Sequence, residues 1–120
     1  MSRVLAFDFG ASTGRAILAE YKDDKLNYSE VHRFDNNLTK KDGLLCWDFP
    51  YLLNEVKKAI DMVKNVDALA FDTWGVDYGM LDKDGKLISL PVCYRDDRTK
   101  NEVSKVFEKM PDEKLYSLTG

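Results

Sequence analysis

A short apolar run, Val4-Leu5-Ala6-Phe7, meets a single carboxylate at Asp8. It then opens into a turn of two glycines around small residues, Gly10-Ala11-Ser12-Thr13-Gly14, with Arg15 behind it. No other stretch narrows the fold as much. The apolar run reads as a buried strand, and the glycines allow the backbone of the turn to approach a ligand closely. Backbone N–H groups, two hydroxyls and a guanidinium are all donors, a set suited to phosphate oxygens. Asp8 would repel a phosphate unless a divalent cation stood between them. Mg²⁺ does this, bridging one or two carboxylates to phosphates while keeping much of its water. The pattern therefore reads as a Mg-nucleotide loop. The glycine spacing is G-x-x-x-G, not the dinucleotide G-x-G-x-x-G, and Arg15 stands where a P-loop would carry Lys. An ordinary hairpin turn has the same composition, and from these residues alone both readings stand.

The 120 residues fit one small domain with a single core. At 44% hydrophobic and 32% charged, the chain reads as globular. A net charge of −3, with its 18 Lys and Arg scattered, argues against a nucleic-acid backbone or an anionic membrane as partner. No apolar run reaches the roughly 20 residues that cross a bilayer. Met1-Ser2-Arg3 runs directly into a strand and leaves no room for a signal peptide, so a cytoplasmic location is expected. Cys46 and Cys93 read as two buried free thiols, and His32, the sole histidine, as structural or at the surface.

In order along the chain, Ala16–Tyr21 is helix or strand by pattern. The charged Lys22-Asp-Asp-Lys25 reads as a hairpin turn, and Leu26–Phe34 partly alternates. A three-stranded antiparallel meander over Arg3–Phe34 is the economical reading. Residues Asn36–Gly43 read as a polar loop, and Leu44–Trp47 as an edge strand or packed coil. Asp48-Phe-Pro50 begins a helix by cap and proline, with Leu52, Leu53, Val56, Ala59, Ile60 and Val63 at helical spacing. Ala68-Leu-Ala-Phe71 is a second continuous apolar run, expected as a buried strand parallel to the first. The order becomes β-β-β-α-β. This second strand ends in Asp72-Thr-Trp-Gly-Val-Asp77, so Asp8 and Asp72 are expected on one sheet edge, where ligands of open α/β sheets bind. Asp82–Lys86 reads as an Asp-Gly hairpin between short strands, and Pro91–Tyr94 as extended. Val103, Val106 and Phe107 share the face of a second helix that Pro111 ends. A last short helix follows up to Gly120.

Taken together, Phe7-Asp-Phe-Gly-Ala-Ser-Thr-Gly-Arg15, Val31-His-Arg-Phe34, Trp47-Asp48, Asp72-Thr-Trp-Gly-Val-Asp77 and Tyr94-Arg-Asp-Asp-Arg-Thr99 resemble the rhamnulokinase branch of the FGGY carbohydrate kinases. The first motif is shared widely among actin-like kinases, and the last two are far more specific. The resemblance implies an α/β fold, an actin-like ATPase (ribonuclease H-like) half-domain with a mixed sheet, incomplete at the C-terminus. It also implies phosphorylation of the 1-hydroxyl of L-rhamnulose by ATP with Mg²⁺. By position, Gly10, Ala11, Ser12, Thr13, Gly14 and Arg15 match the family's ATP-phosphate loop. Asp8 matches the residue that holds Mg²⁺ through water, and Gly75 a sugar-contacting position. Trp74, Asp77 and Arg95 lie in the substrate-side segments.

Family members are several times longer. Their general-base Asp, adenosine-binding residues and second lobe fall beyond Gly120, so residues 1–120 read as the first part of the N-terminal actin-like domain. Such a portion is expected to be inactive alone and to self-associate through exposed sheet edges. Blander readings exist for each residue: Asp8 and Asp72 as loop caps, Trp47 and Trp74 as core or rim aromatics, and Arg95, Asp96 and Arg98 as a surface ion-pair cluster. Two other functions stay open: an FGGY kinase for another ketose or polyol, and a non-enzymatic actin-like nucleotide-binding module.

Overall fold

A computed structural model describes all residues 1–120. Strand β1 (Ser2–Phe9) pairs antiparallel with β2 (Thr13–Lys22), which pairs antiparallel with β3 (Lys25–Asp35). The expected meander is present. Asp23 and Asp24, both at positive φ (52° and 58°), make the two-residue β2–β3 turn, whose backbone matches the right-handed twist of its strands. Strand β6 (Ala68–Asp72) adds to the other side of β1 in parallel, giving the order β3-β2-β1-β6. The crossover carries helix α1 (Phe49–Met62).

Helix α1 starts where the sequence says it should. The Asp48 side chain accepts from the Tyr51 N–H at 3.1 Å, and Pro50 sits in the first turn, where its missing N–H costs nothing. Leu52, Val56 and Ala59 are buried, and Val56 and Ala59 close a core with Leu5, Phe7 and Ala16 of the sheet. Leu53 and Ile60 of the same stripe stay partly exposed. Glu55 is buried beside them, bonded to His32 Nε2 at 2.7 Å and to Lys58 Nζ at 2.5 Å. His32 is thus structural.

The Lys58 bond holds the Glu55 carboxyl below its ordinary 4.5 against the opposing effect of burial, and His32 adds to the lowering. A carboxyl depressed in the folded state contributes stability above its unfolded value and loses it as pH falls through the folded one. Glu55→Gln should therefore flatten the fall of Tm below about pH 4.5, measured by thermal melts across pH. An acid limb identical to the wild type's would show that the Glu55 cluster contributes nothing to acid sensitivity.

The segment expected as a loop, Asn36–Gly43, instead contains a strand. Strand β4 (Leu38–Lys41) pairs antiparallel with β5 (Leu44–Trp47) in a separate two-stranded sheet. Asp42 and Gly43, at φ 52° and 80°, form its turn. An Asp-Gly pair before the apolar Leu44–Trp47 run is a hairpin signal, masked here by the polar face of β4. Pro91–Cys93 lies along the other side of β5, through Trp47 N–H to Pro91 O (2.9 Å) and Cys93 N–H to Leu45 O (2.8 Å). The Asp82–Lys86 hairpin shrinks to a turn around Gly85 and one bridge between Leu81 and Leu87.

The single core expected of a small domain is absent. There are two small clusters, one under α1 and one of Phe34, Trp47, Leu52 and Cys93. The radius of gyration is 19.0 Å, against about 14 Å for a compact domain of this length. Strand β6 is parallel to β1 as expected but is not buried. α1 covers Leu5 and Phe7, whereas their register partners Leu69 and Phe71 remain 46% and 56% exposed, Phe71 lying flat against Phe7. Helices α2 (Glu102–Lys109) and α3 (Asp112–Thr119) bury no residue, so the shared face of Val103, Val106 and Phe107 is formed but uncovered.

Cys46 and Cys93 are buried free thiols, as expected. Burial pushes the Cys93 thiol up, which keeps it protonated and unreactive.

Candidate functional site

The site is built at the end of β1 and β6. Parallel pairing sets Asp8 opposite Asp72, so the two strand-end carboxylates emerge on one edge, as expected. Antiparallel pairing sets Arg15 opposite Asp8. Arg15 donates to Asp8 Oδ2 from Nε at 2.8 Å and from Nη2 at 2.7 Å. The cation assigned to phosphate thus rests on the carboxylate assigned to magnesium, and it engages only one of the two carboxylate oxygens. Two carboxylates in register suit a hydrated Mg²⁺, an ion that takes one or two protein carboxylates and fills its remaining positions with water and phosphate. No third His, Cys, Asp or Glu joins them, so the donor set is that of a shared ion and not of a closed protein cage.

The turn itself is shorter than its sequence. Thr13 and Gly14 already belong to β2, leaving Gly10, Ala11 and Ser12 between the strands. Ala11 and Ser12 are exposed, whereas Gly14 is buried beneath the Phe34 ring. The Gly10 N–H donates to Thr13 O at 2.9 Å, and a Cβ on Gly10 would come within 3.0 Å of that oxygen. Asn36 braces the turn from β3's end: its backbone N–H donates to Ser12 O at 2.8 Å and its side-chain amide to Gly10 O. Nothing in the composition of the Asn36–Gly43 stretch marks this residue. Its only signal is its place, one residue past the strand that pairs with the turn.

In the Asp72–Asp77 segment, Trp74 stacks on the buried Trp47 with ring centroids 4.0 Å apart and planes 13° from parallel. Asp77 holds this pair. Its Oδ2 accepts from Trp47 Nε1 at 2.6 Å and from the Tyr94 N–H at 3.2 Å, joining three segments distant in sequence. Thr73, Trp74 and Asp77 line a cleft of about 150 Å³ with Trp47, Tyr78 and Pro91. Phe9, adjacent to the turn, contacts both Phe34 and Trp74 at centroid distances of 5.7 and 6.1 Å. An aromatic row therefore links the Gly10–Ser12 turn to the tryptophan pair.

Gly75 is exposed with open space where a Cβ would stand. Arg95 is not brought to this cleft. It lies over its neighbour Tyr94 and faces a separate cavity of about 300 Å³ with Lys40, Asp96 and Asp97. The surface ion-pair reading of Arg95, Asp96 and Arg98 also fails. Asp96 spends its carboxylate on the backbone N–H groups of Leu45 (2.7 Å) and Arg98 (2.9 Å), bonds that hold its acidity below the ordinary 3.8.

Both tryptophans of the chain sit in the stack. Asp77→Ala should therefore red-shift and broaden the intrinsic fluorescence, because Trp47 Nε1 loses its acceptor and the Tyr94 segment its tether. An emission spectrum superimposable on the wild type's would show that the stack holds without Asp77.

No family model matches the chain. It is 40% identical over 122 residues to a rhamnulokinase of Klebsiella pneumoniae (strain 342), covering 97% of this chain and 25% of that protein. A rhamnulokinase of Lactiplantibacillus plantarum is 38% identical over 124 residues, covering 100% and 25%. The chain thus spans about a quarter of the length of the curated relatives it matches. Among solved structures, a ligand-bound xylulose kinase and a gluconate kinase, both from Lactobacillus acidophilus, superpose at a TM-score of 0.72 with 16% identity. They cover 98% and 97% of this chain, and each is itself covered to 24%. At that identity the likeness concerns the fold, which is the α/β fold with a mixed sheet seen in these kinases.

Proposed function

We propose, from the homology of the whole chain to about a quarter of the rhamnulokinases, that it is one portion of an ATP-dependent sugar kinase. In this reading residues 1–120 form the first part of an actin-like domain, and the sugar is L-rhamnulose, phosphorylated on its 1-hydroxyl. The observation that carries the reading is the single edge on which Asp8, Asp72 and the Gly10–Arg15 turn stand together, one aromatic row away from the Trp74–Asp77 segment.

Phosphoryl transfer asks a protein mainly for positioning and for neutralisation of charge. Mg²⁺, when bound, supplies that neutralisation between the phosphates of ATP. Asp8 would hold the hydrated ion through water. The N–H groups of Ala11 to Thr13, the Ser12 and Thr13 hydroxyls and the Arg15 guanidinium would donate to phosphate oxygens, whereas Gly14 is buried in the β2–β3 ladder and would serve by its lack of a side chain under Phe34. Arg15 has to share Asp8 with the ion or turn from it toward the phosphate, and the exposure of the pair makes either change cheap. Trp74 and Gly75 would bound the sugar. Asp77 would act largely by holding Trp47 and Tyr94, with its second oxygen left for a sugar hydroxyl. Arg95 would reach the sugar only by leaving Tyr94.

A carboxylate to accept the hydroxyl proton is required. In this reading Asp8 and Asp72 serve the metal and not that task, so this chain alone is expected to give no turnover. The test is coupled ADP release by the longer parent polypeptide against a ketose panel, with this chain as control. Preference for L-rhamnulose supports the reading. Preference for xylulose or another polyol or ketose would keep the kinase and move the specificity. ADP release indifferent to sugar would leave an actin-like nucleotide module.

A further inference from the structure

We propose that Asn36 is a positioning residue for the Gly10–Thr13 turn, holding the Gly10 and Ser12 carbonyls on one side so that the Ala11 and Thr13 N–H groups face the phosphates. The inference rests on the nucleotide reading above.

Two carbonyls of the turn are taken by this one residue: Ser12 O by its backbone N–H, and Gly10 O by its side-chain Nδ2. All peptide bonds of the chain are trans. In a trans peptide the C=O of one residue and the N–H of the next point in opposite directions. The N–H groups of Ala11 and Thr13 therefore point away from Asn36. Ala11 is exposed and its N–H has no partner within the chain, as a donor kept for a ligand should. The backbone bond from Asn36 continues the β2–β3 ladder and survives any substitution, so the side chain is what distinguishes this residue from an ordinary strand end.

The Asn36 side chain is also a cost to the fold. The residue is 8% exposed, and its Oδ1 is buried without a partner. A buried polar atom left unsatisfied needs a reason. A residue selected for packing alone would not carry one, whereas a residue that must present an N–H donor at Gly10 O has few alternatives. Serine is too short and aspartate offers no donor unless protonated.

The test compares wild type, Asn36→Ala and Asn36→Asp. Amide hydrogen exchange without nucleotide reads the turn, and titration with Mg-ADP reads the site. In Asn36→Ala, the Gly10 amide should exchange about tenfold faster, on the order of one lost hydrogen bond, while the Leu5 and Leu18 amides of the β1–β2 ladder keep their protection. The dissociation constant for Mg-ADP should rise by a similar factor in both variants at neutral pH. In Asn36→Asp it should recover, relative to wild type at the same pH, as the introduced carboxyl protonates and regains a donor.

Unchanged affinity in Asn36→Ala overturns the proposal. So does lost affinity with unchanged Gly10 exchange, which would make Asn36 a direct ligand contact. If the wild type takes no Mg-ADP, the nucleotide reading fails on its own, and Gly10 exchange still decides whether Asn36 positions the turn.

Discussion

Gly14→Ala should destabilise this chain more than any other single methyl group added to the site. An alanine Cβ at position 14 would lie 2.3 Å from two carbons of the Phe34 ring. That ring has nowhere to go: it is 5% exposed, clustered with Trp47, Leu52 and Cys93 and set edge-on to Phe9. Overpacking of this kind costs about 1–3 kcal/mol, a fall in Tm on the order of 5–10 °C for a chain of this size. The damage should spread to the Gly10–Thr13 turn, since Gly14 directly follows Thr13, whose carbonyl closes it. Phe34→Leu in the same chain makes room, so the double variant should recover part of the lost Tm. A Gly14→Ala variant melting with the wild type would mean that the ring yields freely and that glycine is not required there for packing.

The second large effect is on chemistry. Asp8→Asn should leave the fold nearly untouched, because the ion pair it breaks with Arg15 is partly exposed on both sides. In the longer polypeptide of the proposed sugar kinase it should nonetheless lower turnover by on the order of a hundredfold or more, since a metal ion contributes several kcal/mol of charge stabilisation at a phosphoryl group. The same substitution releases Arg15, so affinity for metal-free nucleotide should hold or rise while the dependence on Mg²⁺ weakens. Steady-state kinetics across Mg²⁺ concentrations, together with metal-free nucleotide binding, check both halves. Full turnover with an unchanged Mg²⁺ profile would remove Asp8 from the metal site.

The parts of this molecule that were legible in its sequence are those set by neighbours in the chain. The β1 strand, the Lys22–Lys25 turn and the capped α1 helix follow from local pattern, and the Asp8–Asp72 edge follows once both apolar runs are strands in one sheet. What escaped reading depends on distant residues. Hydropathy marks Ala68–Phe71 as apolar, but only the layout of α1 shows that Leu69 and Phe71 stay about half exposed. The grip of Asp77 on Trp47 and Tyr94 spans 30 and 17 residues, and no spacing rule encodes it. Arg95 is close in sequence to Tyr94 and Asp96, yet the turn at Cys93 points it to another cavity. By composition Asn36 is one more residue of a polar stretch, and only the pairing of β2 with β3 brings it to Gly10 and Ser12. The β4–β5 hairpin is different, for its Asp42-Gly43 signal was present and was outweighed by the polar composition around it.

The most direct test of the account is an amide-resolved titration of this chain with Mg-ADP, followed by the same titration with Mn²⁺ in place of Mg²⁺. Shifts should be confined to Asp8–Arg15 and the adjoining Asp72–Gly75 segment, and paramagnetic broadening should be strongest at the ends of β1 and β6. Perturbation centred instead on the Arg95 cavity or on helices α2 and α3, with Asp8 to Arg15 silent, would contradict a nucleotide site at this turn.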